Sequence, residues 1–294
     1  MKRQLFFLIS LFFVGLSSFG SIMEGDNNFD LSPNSKEPNP DWSTNLGTKM
    51  EIRSIDFTSS SDYKDAVLIY PTEGSGPFPV ITFMHGVKSG GKYTYGNYGK
   101  VLTYLASHGY IVLAPRVCQD DLCLGLDEDL LISLSYAKKQ YDLGDTAFSY
   151  ASFDKVGLLG YSMGGASAVH AACEIKQFKL GATVAIHPLP WWNVCANGPA
   201  LFLTASKDFV IPSFFVRTSY FMSGFSPKVY ANMKGGDHVE IQNHKQGKWN
   251  SYILAFLDCY LKDNQEQCQV IYGEASDSLC HNPDIPMKKC MFHD

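Results

Sequence analysis

From about Met50 onward, short runs of Val, Ile, Leu and Phe alternate with longer stretches whose apolar residues recur at helical spacing. The runs predict strands at Ala66–Tyr70, Val80–Met84, Tyr110–Ala114, Lys155–Leu159, Ala182–Ile186, Ala200–Thr204 and Lys228–Asn232. Between them the pattern predicts helices near Tyr98–His108, Asp127–Tyr141, Met163–Cys173, Pro212–Met222 and Lys245–Lys262. Strands that are apolar at nearly every position belong to a sheet covered on both faces, and such sheets are mostly parallel. A three-layer α/β sandwich follows, in one domain over residues 49–262.

The flanks lack that rhythm. Residues 21–48 are rich in Pro, Asn, Ser and Asp and read as an irregular leader. Residues 263–294 show little helix or strand pattern but hold Cys268, Cys280 and Cys290, so they are expected to form a stapled terminal loop of the same domain. Only about a dozen residues separate the strand ending at Ile186 from the one starting at Ala200, too few for a lid domain. An open cleft is expected.

At the start of the chain, Lys2 and Arg3 precede the apolar run Leu5–Leu16, and Ser18-Phe19-Gly20 offers small residues at a cleavage site after Gly20. Residues 1–20 therefore read as a signal peptide, too short to serve as a bilayer span. A secreted monomer without stable membrane insertion is expected. All eight cysteines, Cys118, Cys123, Cys173, Cys195, Cys259, Cys268, Cys280 and Cys290, lie beyond that segment, and their spacings suit disulfides better than a zinc site. The expected pairs are Cys118 with Cys123, Cys259 with Cys268 and Cys280 with Cys290.

Composition narrows the class further. A 294-residue chain with 45% hydrophobic and 18% charged residues buries a full core and is not disordered. Its 24 Lys and Arg against 29 Asp and Glu leave a formal charge of −5, so there is no basic surface for a nucleic-acid backbone. No cofactor and no metal is expected.

The chemistry concentrates at Gly160-Tyr161-Ser162-Met163-Gly164, a Gly-x-Ser-x-Gly turn between a predicted strand and a small-residue helix. A turn this sharp strains the serine backbone and leaves no room for a Cβ two residues to either side. The hydroxyl then sits at a helix N-terminus, which favours developing negative charge. A serine nucleophile needs a base, and the base an acid to orient it, in the chain order Ser, acid, His. Asp208 follows the strand Ala200–Thr204, and His238 follows Lys228–Asn232 in a glycine-rich loop. Asp237 is too near His238 in sequence to orient its ring, and Asp154 begins its strand at the wrong edge.

Among the other histidines, His187 competes as base because it ends a strand at the edge where open α/β sheets bind ligands. His108 reads as a helix cap, His170 as packing on the serine helix and His85 as a loop tie. His244, His281 and His293 read as solvated. An acyl-transfer intermediate needs two donors for its oxyanion. Met163 N–H is one, and Val87 N–H, just past the strand Val80–Met84, is the other.

Four stretches, PVITFMHG with His85-Gly86, LASHGYIVLAP, GLLGYSMGGASA around Ser162 and PALFLTASKDFVIP with Asp208, resemble the α/β-hydrolase superfamily. Within it the chain is similar to cutinases and polyester hydrolases, dienelactone hydrolases and chlorophyllases. The resemblance spans about Met50–Cys290 and implies serine carboxylester hydrolysis on an ester substrate. Pro190-Trp191 resembles the polyester-hydrolase group, which implies a substrate contact for Trp191; a core tryptophan is the other reading. Those enzymes carry an aromatic residue where this chain has Val87, and the His85-Gly86 pair is closer to chlorophyllase-like and lipase-like members. The tail pair Cys280 and Cys290 resembles their terminal disulfide. A serine peptidase, or a non-catalytic binding protein on the same scaffold, are the alternatives. For a hydrolase with His238 as base, kcat/KM is expected to rise through roughly pH 6 to 8.

Overall fold

The computed structural model describes residues 48–56, 65–86, 95–116, 125–190, 197–242, 245 and 247–294. Among these, nine strands form one sheet in the order β1-β2-β4-β3-β5-β6-β7-β8-β9. They are β1 Met50–Asp56, β2 Asp65–Pro71, β3 Phe78–Met84, β4 Ile111–Arg116, β5 Ala151–Tyr161, β6 Leu180–Ile186, β7 Ala200–Ala205, β8 Lys228–Met233 and β9 Met287–His293. From β4 through β3, β5, β6 and β7 to β8 every pairing is parallel. Antiparallel pairs close both margins, β1 and β2 on one side and β9 on the other.

The helices are α1 Gly99–Ser107, α2 Leu126–Asp142, α3 Met163–Glu174, α4 Ser213–Met222, α5 Asn250–Leu261 and α6 Gln265–Tyr272. All but α6, which buries Ile271 alone, sink several residues against their neighbours. In α2, Leu126, Leu130, Leu134 and Ala137 recur at helical spacing and face the sheet, while Asp127, Glu128 and Asp129 fill the first turn, where the helix dipole favours acids. Helices α2, α3 and α4 cover one face of the sheet, around Leu158, Phe202 and Tyr230. Helices α1, α5 and α6 cover the other, where Trp249, Tyr252, Phe256 and Leu257 meet Leu159, Val184 and Leu201. These layers are those of an α/β-hydrolase fold.

The seven expected strands and five expected helices all form, with ends shifted by a few residues; α5 begins at Asn250 rather than Lys245. Among the described strands and α-helices, three were not expected. Strand β1 alternates apolar with charged residues, Glu51 and Arg53, because it lies at the margin and needs no second buried face. In the tail, where a loop was expected, α6 starts from an Asn264 cap whose side chain accepts from the Glu266 and Gln267 N–H groups. Strand β9 carries Lys288 and Lys289 on the outer margin, a composition that hides its strand character and discourages edge pairing. Disulfides Cys259–Cys268 and Cys280–Cys290 are present as expected, and Cys173 is disulfide-bonded as well. Cys118 and Cys123 lie outside the described residues, as do residues 1–20, where a signal peptide is expected. No helix among the described residues is long and apolar enough to cross a membrane.

Two glycines let α3 approach the sheet. A Cβ on Gly160 would lie 2.0 Å from the Gly164 carbonyl oxygen, and one on Gly164 would lie 2.2 Å from that of Met84. Both obstacles are backbone and cannot swing aside. Gly164→Ala is accordingly expected to lower stability by roughly 3 kcal/mol, read as a fall in the denaturant midpoint.

Candidate active site

Strand β5 runs through Tyr161 into Ser162, and α3 begins at the next residue. Ser162 has φ 57° and ψ −119°, a conformation that costs a non-glycine residue about 1–3 kcal/mol and persists only where its surroundings impose it. Here they do. The Ser162 N–H donates to Ile186 O at 2.9 Å, and its carbonyl accepts from Ala166 N–H at 3.2 Å and Leu189 N–H at 3.1 Å. The hydroxyl is thereby lifted onto the start of α3, where Met163, the first helical residue, has no acceptor for its N–H within the helix.

Asp208 and His238 arrive from the ends of β7 and β8, and backbone bonds latch their loops together. Ser206 N–H donates to Met233 O at 2.8 Å and Lys207 N–H to Gly236 O at 2.9 Å, while the Ser206 hydroxyl accepts from Gly235 N–H at 2.8 Å. The result is a hydrogen-bonded chain: Ser162 Oγ lies 3.2 Å from His238 Nε2, and His238 Nδ1 lies 2.8 Å from Asp208 Oδ2. An ionised carboxylate only accepts, so Nδ1 carries the proton and Nε2 is free to accept from the serine hydroxyl. All three side chains are buried, with exposures of 8% for Ser162 and 4% for Asp208 and His238.

The electrostatics match that tautomer. Burial alone pushes the Asp208 carboxyl up, but hydrogen bonds from His187 and His238, with their charge interactions, hold it well below the usual carboxylate range. For His238, burial pushes the imidazole below its ordinary value and outweighs the attraction of Asp208. Its ring is held between Tyr161, at 5.0 Å between centroids, and His187, at 5.4 Å.

The other candidates fall into place around this chain. Asp237 does not reach the imidazole, because its carboxylate accepts from Val239 N–H at 3.1 Å and Lys245 Nζ at 2.8 Å. His85 is buried with Nδ1 2.7 Å from Gly86 O, on the loop leaving β3. His108 caps α1, and His170 pairs with Asp127 across α3 and α2 rather than merely packing. His281 contacts the Ser278 hydroxyl at 3.0 Å. Val87, Trp191 and His244 lie outside the described residues.

His187 is where the sequence reading fell short. It is not the imidazole bonded to Ser162, yet it is fully buried in the site with Nδ1 2.8 Å from Asp208 Oδ2, the same oxygen that His238 uses. Its position directly after β6 was the available signal. His187, Asp208 and His238 also form the group among the described residues that could hold a metal ion. Both Nδ1 atoms, however, sit at hydrogen-bond distance from one carboxylate oxygen, so this donor set is committed to itself.

Comparison with known proteins agrees with the fold. A family model described as chlorophyllase matches residues 46–216, which include Ser162 and Asp208 and stop short of His238. Chlorophyllase-1, chloroplastic, from Citrus sinensis is 25% identical over 242 residues, covering 78% of this chain and 69% of that protein. Chlorophyllase-1 from Arabidopsis thaliana is 27% identical over 153 residues, 50% of this chain and 46% of its own. Chlorophyllase type 0 from Chenopodium album is 28% identical over 129 residues, 40% of this chain and 35% of its own. Since the family match takes in more than half of the chain, the chain belongs to the chlorophyllase family, and with it to the carboxylic ester hydrolases on an α/β-hydrolase sheet.

Proposed function

We propose that the protein is a serine carboxylester hydrolase in which Ser162, His238 and Asp208 act as nucleophile, base and acid. The observation that carries this reading is the unbroken hydrogen-bond chain from Ser162 Oγ through His238 to Asp208. Ser162 Oγ attacks the ester carbonyl carbon as its proton passes to His238 Nε2. The tetrahedral oxyanion is held by the N–H groups of Met163 and Val87 and by the positive end of α3. When the intermediate collapses, the alcohol departs with the proton from Nε2, leaving an acyl-serine. Water then attacks the acyl carbon, its proton going to Nε2, and the carboxylic acid leaves as that proton returns to Ser162 Oγ. Asp208 remains ionised throughout and stabilises the transient imidazolium.

Trp191 is proposed as a substrate contact, on the resemblance to polyester hydrolases. The relatives' shared name makes chlorophyll the first large ester to test, beside long-chain acyl esters and polyester film. Secretion is proposed from the apolar leader and from the disulfides, which suit an oxidising compartment. The family membership favours ester over amide cleavage.

Ser162→Ala is expected to lower kcat/KM on a short p-nitrophenyl ester by at least roughly 10⁴-fold and to abolish labelling by an organophosphonate, with the melting curve retained. Turnover undiminished in this variant refutes the proposal. The pH dependence has a definite sign. The base works when unprotonated, burial lowers its pKa, and so activity persists further into acid than a free imidazole allows. The acid limb of kcat/KM should therefore have its midpoint below about pH 6.5, on the acid side of the range expected from sequence, and a midpoint above that value contradicts the electrostatics.

A further inference from the structure

We propose that His187 is a positioning residue for the hydrolytic site, a second imidazole that saturates Asp208 and limits how strongly this carboxylate holds the proton of His238. The inference rests on the triad reading and adds a fourth member that works through the acid.

The carboxylate is fully occupied. Asp208 Oδ1 accepts from Val210 N–H at 3.0 Å and Ile211 N–H at 2.7 Å, and Oδ2 accepts from His187 Nδ1 and His238 Nδ1, both at 2.8 Å. Four donors fill the four lone-pair positions, so the group cannot turn without breaking bonds in a buried site. His187 is fixed as firmly. Its N–H donates to Leu203 O at 2.7 Å, and its φ of 46° is one that few non-glycine residues adopt. Its Nε2 is buried without a hydrogen-bond partner, leaving the bond to Asp208 as the one polar engagement of the ring.

Two consequences follow from sharing one oxygen. First, the ring of His187 stands edge-on to His238, 74° between planes, and keeps that imidazole aimed at Ser162. Second, an oxygen that already accepts from His187 is a poorer acceptor for the charged form of His238, so the base is kept neutral to lower pH. The other groups around His238 are Tyr161 from β5, Ser162 itself and Asp237, whose carboxylate is engaged by Lys245. Of these, Tyr161 also packs edge-on against His187, at 6.2 Å between ring centroids, whereas the charges of Asp237 and Lys245 stay as they are when His187 is replaced.

The experiment compares His187→Ala with His187→Asn in the full-length protein, following kcat, KM and the pH profile on a short p-nitrophenyl ester. Asparagine places an amide N–H close to where Nδ1–H stood and tolerates a positive φ. In the alanine variant kcat should fall roughly 10–100-fold, with KM changing less than about twofold, and the acid limb should move up by about half a pH unit or more. The asparagine variant should recover most of both. An unmoved acid limb in His187→Ala, or a His187→Asn no better than alanine, overturns the inference. Should alanine prevent folding, His187→Asn and His187→Gln carry the test, because glutamine sets its amide one carbon too far out. Asparagine retaining the parent profile while glutamine loses it supports the role, and identical profiles overturn it. Ser162→Ala run in parallel separates the two readings. An active Ser162→Ala defeats the triad itself, whereas an inactive one beside unaffected His187 variants defeats only the role of His187.

Discussion

A carboxylate placed under the surface of a protein is tolerable only when its charge is met by donors on every side, and the Asp208 site is organised around that requirement. Two of its four donors are amides one and two residues beyond its immediate neighbour, a local turn that any short loop can supply. The other two come from the ends of β6 and β8, so the requirement reaches across the sheet. The strand-end loops must then be fixed relative to one another, and the bonds from Ser206 and Lys207 to Met233 and Gly236 do this without side chains. The geometry of the imidazole next to Ser162 is thus a by-product of solvating one buried charge with protein groups.

The serine half is organised by a different force. No charge is buried at the elbow; the constraint is steric, with Gly160 and Gly164 removing the atoms that would hold α3 away from β3 and β5. Close approach supplies packing and backbone hydrogen bonds that offset the unfavourable dihedrals of Ser162. The two halves meet in the 3.2 Å contact between Ser162 Oγ and His238 Nε2, and it joins a sterically determined group to an electrostatically determined one.

What could be read in advance follows this division. The parallel strands were legible because burial on both faces forces nearly unbroken apolar runs, as in β3 and β6, where almost every position is buried. The elbow was legible because a steric demand leaves a residue-by-residue imprint, glycine and no other. Asp208 and His238 were legible through their places after strands. Less visible were β1 and β9, whose outer margins admit Glu51, Arg53, Lys288 and Lys289, and α6, whose main signal was the single cap Asn264. His187 was noticed as a rival base, but nothing in a linear pattern shows two side chains converging on one oxygen. The acid-side shift of His238 was equally hidden, since it comes from burial and not from any neighbour in sequence.

Marginal strands are ordinarily the first part of a sheet to fray. In this molecule the strand beside β8 carries Cys290, in register with Ala231, and its disulfide to Cys280 closes a short ring. At the foot of that ring Pro286 O accepts from Lys234 N–H, the residue that opens the glycine turn toward His238. The covalent clasp therefore limits breathing at the border from which the imidazole loop is hung, and an outlying tail inherits the duty of anchoring that loop.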